Sequence, residues 1–178
     1  MAIPDISFHL LISEIIRIQS SGSADTDMTS SLNTLDDGQM AAVKRKMKTL
    51  GNEIGRKSIY YILKDHIWLK EENSILRFIC KEFWCYYFGK FVDRLQANNR
   101  GIFLLYDYNF KWLARVGEGD SEGNVQAARR YNQAVFSFVA GLIKGGMTGI
   151  GFEKKLKVEI TKEEDSVKFT ITISSVNG

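Results

Sequence analysis

The chain has 178 residues, of which 44% are hydrophobic and 25% are charged, and its formal net charge is +3. This length suits one domain with a substantial core, which we expect over residues 1–178, and the composition is that of a soluble globular protein. So small a charge demands neither a nucleic acid nor a membrane as partner. The two cysteines, Cys80 and Cys85, match no disulfide or zinc spacing, so reduced core cysteines of a cytosolic protein are expected. No basic residue precedes the first apolar stretch, so no secretory signal is expected.

The first third of the chain predicts two amphipathic helices separated by a polar stretch. Residues 4–20 predict a helix with one broad apolar face, formed by Phe8, Leu11, Ile12, Ile15, Ile16 and Ile18. Residues 21–37 are polar and without period, which predicts a flexible insertion. From about Asp37 the pattern predicts a second helix, whose apolar stripe contains Val43, Met47, Leu50 and Ile54. Both faces must pack against something.

A third helix is predicted at 74–96, and it is apolar around most of its circumference. Such a helix is central and buried, and the charged residues that interrupt it argue against a membrane span. The period then changes to that of strands. Runs at 102–106 and 110–116, joined by residues 107–109, predict a first hairpin.

The last part of the chain predicts a fourth helix and a second hairpin. The helix begins at about Asn124, and strictly alternating runs follow at 156–160 and 167–171. Alternation of this kind indicates one buried and one solvated face. We therefore expect an α/β fold of the α+β type, with four helices packed on one side of a small antiparallel sheet made of two hairpins.

Residues for chemistry are not apparent. His9 and His66 stand apart without a ligand pattern, and the acidic clusters fall in predicted turns. We therefore predict no enzyme, no catalytic or metal-binding residue and no cofactor. The basic groups at 44–48 and 154–157 fit a solvated face, with weak attraction to anionic lipid headgroups or phosphates as the alternative. Nucleic-acid binding is not expected, because the aromatic residues lie in core-like runs.

Glycines recur every fourth residue near the end of the predicted fourth helix, at Gly141, Gly145 and Gly149. This spacing predicts a smooth helix face that approaches another backbone closely. Gly51 and Gly55 lie one turn apart on the second helix and are candidates for the opposing surface.

Four segments in order carry a family likeness. Residues 50–55 (LGNEIG), 78–84 (FICKEFW), 98–105 (NNRGIFLL) and 140–146 (AGLIKGG) resemble motifs of the small subunits of TRAPP, the transport protein particle. The second segment matches the F-[IL]-C-K-[DE]-[FL]-W signature of the subunit 6 branch. Residues 64–69 lack the cysteine that the acylated core subunit carries there, which also favours the subunit 6 branch.

This resemblance implies a non-catalytic assembly subunit of the vesicle-tethering complex in ER-to-Golgi and Golgi traffic. The chain would pair through its first two helices with the acylated core subunit. It would meet the Rab GTPase only through the whole complex, whose core is a guanine-nucleotide exchange factor. The expected location is cytoplasmic, peripheral on cis-Golgi and ER-derived vesicle membranes.

The predicted partner interface consists of Phe8, Leu11, Ile12, Ile15, Val43, Met47, Leu50 and Ile54. Two alternatives remain open at this point. The isolated chain would form a homodimer, or the fold would serve as a carrier of a small hydrophobic ligand such as an acyl chain, given the many aromatic residues of the third helix.

Overall fold

The computed structural model describes residues 5–20, 28–63, 69, 71–98, 100–114, 120–152, 154–164 and 166–174. Its helices are α1 (Asp5–Ser20), α2 (Met28–Thr34), α3 (Asp37–Ile62), α4 (Glu72–Phe78), α5 (Trp84–Phe88) and α6 (Glu122–Gly149). A π-helical turn, Ile79–Phe83, joins α4 to α5. The strands are β1 (Arg94–Ala97), β2 (Ile102–Asp107), β3 (Lys155–Lys162) and β4 (Val167–Ser174).

The four strands form one antiparallel sheet in the order β1-β2-β4-β3. On its inner face, Leu105 of β2 is paired with Phe169 of β4, and both are fully buried. The Phe169 ring meets the Trp84 ring of α5 edge-on, with centroids 4.8 Å apart. Helices thus pack on an antiparallel sheet of two hairpins, which confirms the expected fold class.

The predicted third helix is wrong in its last part, since it ends at Phe88 rather than near residue 96. Gly89 follows with φ 72°, a left-handed conformation that ends helices, and its N–H donates to the carbonyl oxygen of Cys85. The chain that follows forms β1, which pairs with β2. The first hairpin is therefore β1–β2, one strand earlier in the chain than predicted.

The predicted strand at 110–116 is also wrong over residues 110–114, which form no strand. Phe110 and Trp112 are instead buried as loop anchors, with rings packed on Phe88 of α5. The side chain of Asn132 on α6 takes the place of a strand partner for Ala114. It accepts from the Ala114 N–H at 2.8 Å and donates to its carbonyl oxygen at 3.2 Å.

The polar stretch predicted to be flexible contains α2, so this expectation fails at Met28–Thr34, while residues 21–27 lie outside the described residues. Leu32 and Leu35 are buried. The guanidinium of Arg130 on α6 donates to the carbonyl oxygens of both leucines, at 2.5 and 2.7 Å. These carbonyls at and just beyond the end of α2 would otherwise lack partners, so a residue almost a hundred positions away completes this helix.

The parallel helices α3 and α6 touch backbone to backbone, as the glycine spacing predicted. An added Cβ on Gly51 would lie within 3.0 Å of the backbone of Phe138 and Leu142, and one on Gly55 would meet Leu142 and Gly146 in the same way. From the other side, Gly141 abuts the Lys48 backbone and Gly145 abuts Asn52. We call this contact, formed by Gly51, Gly55, Gly141 and Gly145, the glycine seam.

We expect Gly145→Ala to destabilise the protein by about 1–3 kcal/mol, the usual cost of overpacking, despite the better helix propensity of alanine. The new Cβ would lie 2.8 Å from the carbonyl carbon of Asn52 and 2.9 Å from its Cα, so two backbones must separate. Urea unfolding followed by circular dichroism measures the change.

Gly123→Ala is the matched control, because Gly123 lies in the first turn of the same helix. There the added Cβ would meet only the side-chain nitrogen of Asn33 at 3.3 Å and the hydroxyl of Ser121 at 4.0 Å. An unchanged or slightly raised stability is expected. Equal losses in the two variants would show that the seam is not tightly packed.

Candidate partner-binding surface

The structure divides the eight residues of the predicted partner interface into two groups. Ile12, Val43 and Met47 are completely buried within the chain itself. They belong to its own core, so in this structure they are not available to a partner. Leu11, Ile15, Leu50 and Ile54 are half-buried, and the last three pack on the edge of the core. Only the backbone is described at Phe8, so its side chain lies outside the described part.

The apolar stripe of α3 becomes more exposed towards the end of the helix. Val43 and Met47 are covered, Leu50 and Ile54 are half-covered, and Tyr61 is 71% exposed. Residues 47, 50, 54 and 61 keep to one side of a helix, since these intervals fit its 3.6-residue period. Sequence reasoning missed Tyr61, although continuing the same spacing by two turns would have found it.

Helix α1 shows the same gradient around its circumference. Ile12 and Ile16 face the core, Leu11 and Ile15 lie at its margin, and Ile18 is 60% exposed. We define the apolar margin as the partly or largely exposed residues along the apolar stripes of the two helices, Leu11, Ile15, Ile18, Leu50, Ile54 and Tyr61. Fully exposed polar residues would be the rule on the outside of a helix, so these side chains are candidates for contact with another molecule.

Helix α2 supports α1 from beside it. The Ser13 hydroxyl of α1 donates to the Met28 sulfur at 3.1 Å, and α2 also packs on α6. The Asn33 amide of α2 donates to the Gly123 carbonyl at 3.0 Å. The position of α1 therefore depends on α2 as well as on α3.

The FICKEFW segment has a structural role at the junction of helix and sheet. Its Trp84 indole N–H donates to the Asp107 carboxylate at 2.9 Å, and that carboxylate, which is 1% exposed, also pairs with the Lys90 ammonium at 2.8 Å. In the π-helical turn, the carbonyl oxygen of Cys80 accepts from the Val92 N–H at 3.0 Å. These bonds fix the chain between α5 and β2.

Asp93 completes this network at the surface. It accepts from Lys90 at 2.5 Å and from the Tyr108 N–H at 2.9 Å. Partial burial alone would raise the pKa of Asp93, but the Lys90 ammonium and the Tyr108 N–H together hold it below its usual value. The network favours the charged form of Asp93, and it engages Lys90, Asp93 and Asp107 in bonds that hold the fold.

Asp107→Ala should destabilise the protein by about 3–5 kcal/mol, because it leaves the Lys90 ammonium without its buried partner and the Trp84 N–H unbonded. Asp93→Ala removes the partly exposed carboxylate from the same lysine and should cost about 1 kcal/mol or less. Urea unfolding followed by tryptophan fluorescence compares the two. A larger loss for Asp93→Ala would contradict the buried role of Asp107.

The cysteines are only partly as predicted. Cys80 is buried, and this burial raises the pKa of its thiol to about 12, so it remains protonated and unreactive. Cys85 is exposed, which corrects the expectation of two core cysteines. Its side chain points away from the core because the helix buries Trp84, Tyr87 and Phe88 instead.

The described residues contain no group of histidine, cysteine and acidic side chains arranged to hold a metal ion. The side chain of His9 and the whole of His66 lie outside them. Within the same residues, no helix is both long and apolar enough to cross a bilayer. Among the described residues, the exposed apolar side chains of α1 and α3 are a feature that the chain's own packing does not explain.

The fold is that of a small subunit of a trafficking particle. A solved structure, trafficking protein particle complex subunit 3 from Naegleria fowleri covalently bound to palmitic acid, superposes with a TM-score of 0.60, covering 97% of this chain and 98% of that one. Their sequences are 13% identical, so this likeness concerns the fold.

Sequence comparison gives the family. Residues 8–174 match the family described as transport protein particle (TRAPP) component, and the chain belongs to it. Trafficking protein particle complex subunit 6B of Homo sapiens is 30% identical over 131 residues, which cover 74% of this chain and 78% of that protein. The Danio rerio subunit 6b is 29% identical over 154 residues, covering 86% and 87%. The expected subunit 6 branch is confirmed.

Proposed function

We propose that this chain is a non-catalytic assembly subunit of the TRAPP vesicle-tethering and Rab guanine-nucleotide-exchange complex, acting in ER-to-Golgi and Golgi traffic. It forms a heterodimer with the acylated core subunit and acts on the Rab GTPase only as part of the complex. Its place is the cytoplasmic side of cis-Golgi and ER-derived vesicle membranes. The observation that supports this role is the apolar margin of α1 and α3 in a chain of the TRAPP family.

The apolar margin suits a partner helix or helix pair. Ile18 and Tyr61 are 60% and 71% exposed, and covering such a side chain contributes about 1–2 kcal/mol each. The half-buried Ile15, Leu50 and Ile54 would form the centre of the interface. They already pack on the core, so their side chains would lose little conformational entropy on binding. A dry centre with a large aromatic residue is typical of stable interfaces.

The absence of an enzymatic role is part of the proposal. Asp107 and Asn132 are two of the three buried polar residues among those described, and both are engaged in holding the fold. Asp107 also lines an open groove of about 210 Å³, but its carboxylate oxygens already accept from the Trp84 indole N–H, the Lys90 ammonium and the Asn109 N–H.

The double variant Ile18→Glu and Tyr61→Glu tests the heterodimer. Both side chains are exposed, so the variant should fold normally, while two buried charges at the interface should weaken binding by about tenfold or more. The chain is co-expressed with the acylated core subunit of the same organism, and complex formation is measured by size-exclusion chromatography and calorimetry.

The matched control is Phe91→Glu with Tyr108→Glu, which changes two exposed aromatic residues, 55% and 52% exposed, outside α1 and α3. It should bind as the unchanged protein does. If the first variant keeps full affinity, the apolar margin is not the interface. If the unchanged chain does not bind the core subunit at all, the proposed function itself fails.

A charged substitution at Met47 tests whether this residue stabilises the fold of the chain or belongs to the partner interface. Because Met47 is fully buried, Met47→Asp should lower the free energy of unfolding by about 3 kcal/mol or more, and it should do so without any partner present. Thermal unfolding of the isolated variant checks this. If the Met47→Asp variant folds stably, Met47 is not a core residue and would again be a candidate for the partner interface.

The second candidate is a carrier of a small hydrophobic ligand, raised by the palmitic acid bound to the Naegleria fowleri protein of the same fold. The interior here supports the assembly role instead. Rings fill the space between α5, α6 and the sheet, with centroid distances of 4.7 Å for Phe88–Trp112, 4.8 Å for Trp84–Phe169 and 5.4 Å for Phe110–Phe169. Native mass spectrometry should therefore give the mass of the chain alone. A retained acyl chain would favour the carrier.

A further inference from the structure

The strand order leaves a long edge of the sheet open. Among the described strands, β3 pairs only with β4, so the other side of its eight residues has no strand beside it. The opposite edge of the sheet is β1, which has only four residues. An open edge exposes main-chain N–H and carbonyl groups that can pair with a further strand. The longer template for such pairing is therefore β3.

The hydrogen-bond register shows which residues of β3 direct their main chain to the open side. The Glu163 N–H donates to the Ser166 carbonyl oxygen at 2.8 Å, so these two residues form a hydrogen-bonded pair at the end of the ladder. Such pairs alternate in an antiparallel ladder, so the odd-numbered residues of β3 bond to β4. The main-chain groups of Leu156, Val158 and Ile160 therefore point away from β4, and we call them the free edge.

The side chains of the same three residues form the apolar row of β3. Leu156 is buried, whereas Val158 and Ile160 are half-buried and pack on the margin of the core. The chain's own packing thus covers the inner face of β3 incompletely beyond Leu156. A strand added at the free edge would place its own apolar side chains beside Val158 and Ile160 and complete this cover.

The outer face of β3 carries charges that favour a particular partner strand. Lys157 and Glu159 are 68% and 56% exposed, and their charged groups lie 2.9 Å apart. Lysines alone would keep a second copy of the strand away, as they do on many sheet edges. A lysine and a glutamate two positions apart have the opposite effect. If the strand pairs antiparallel with its own copy about the residue between them, each lysine lies opposite the glutamate of the other copy.

The hydrogen bonds and the charges agree on one centre for this self-pairing. With Val158 opposite Val158 of the second copy, the free-edge groups of Leu156 meet those of Ile160, and Lys157 lies opposite Glu159 in both directions. A centre one residue earlier would place two copies of Lys157 opposite each other. A centre one residue later would do the same with Glu159, and like charges in direct opposition are destabilising.

We infer that this chain associates with a second copy of itself through β3, antiparallel about Val158, so that two four-stranded sheets join into one continuous sheet. Like charges meet in this register only at its ends, where Lys154 lies opposite Lys162, and Lys154 already pairs with Glu72. The surface lies on the sheet, whereas the apolar margin lies on α1 and α3. The inference therefore does not rest on the proposed heterodimer.

Charge variants of the isolated chain test the inference by analytical ultracentrifugation over a concentration series at low ionic strength. All of them also carry Ile18→Glu and Tyr61→Glu, which removes association through the apolar margin. This background should show a monomer–dimer equilibrium. Lys157→Glu alone and Glu159→Lys alone each place like charges opposite each other. Each should weaken dimerisation by about tenfold or more, although the two change the net charge in opposite directions.

Two combinations should restore the dimer. The variant that carries both Lys157→Glu and Glu159→Lys reverses every facing pair, so it should dimerise as the background does. An equimolar mixture of the two single variants should form a mixed dimer, because the negative strand of one faces the positive strand of the other. If the background stays monomeric at every concentration, or if neither combination dimerises, the inference is overturned.

Val158→Pro tests the main-chain part of the contact. The Val158 N–H belongs to the free edge, so proline removes a donor from the dimer and leaves the hydrogen bonds to β4 in place. Dimerisation should be lost while circular dichroism still shows a folded chain. Val158→Thr is the matched control, since it keeps the donor and a branched side chain, and it should dimerise nearly as the background does. A dimer that tolerates Val158→Pro would contradict pairing through β3. None of these measurements involves the core subunit, so they fail or succeed independently of the heterodimer.

Discussion

Much of this structure depends on the distance between α3 and α6. Four glycines allow the two backbones to meet where any side chain would hold them apart, and the spacing of four residues keeps the contact on one face of each helix over two turns. Such close contact buries little apolar side-chain area at the seam itself. The seam stabilises the fold through geometry instead. It brings the larger residues beside it, Met47 of α3 and Leu142 of α6, into the same core, and it fixes the rotation of each helix about its own axis.

The second constraint lies at the other side of the core, where the chain passes from helix to sheet. The π-helical turn shifts the register of the helix, and its Cys80 carbonyl accepts the Val92 N–H. Phe83 of the same turn packs against Gly146, where an added Cβ would lie 2.7 Å from the ring. The FICKEFW segment and the last glycines of α6 are therefore parts of one contact, which gives both motifs a structural role.

Sequence reasoning predicted best what is local and periodic. The start of α3 near Asp37 is set by a capping box between Asp36 and Gln39, and the alternating strands β3 and β4 show their buried face directly. Sequence reasoning failed where the local structure depends on a contact with a residue far away in the chain. Arg130 completes α2, and Asn132 replaces a strand partner for Ala114, and neither effect is visible in the local pattern. The interface residues stay a prediction, and the burial of Ile12, Val43 and Met47 within the chain shows that an apolar stripe alone does not tell which of its residues the chain covers itself.

Helix α3 shows how these constraints combine into a function. Gly51 and Gly55 fix one side of the helix against α6, and Val43 and Met47 fix the next side in the core. With two sides fixed, the remaining sides have no freedom to turn inward, so Leu50, Ile54 and Tyr61 stay at the surface on one side, and Lys48 and Arg56 stay on another. The seam therefore sets the angle between the apolar stripe and the basic residues of α3, and any partner that covers the apolar margin would be oriented by that angle.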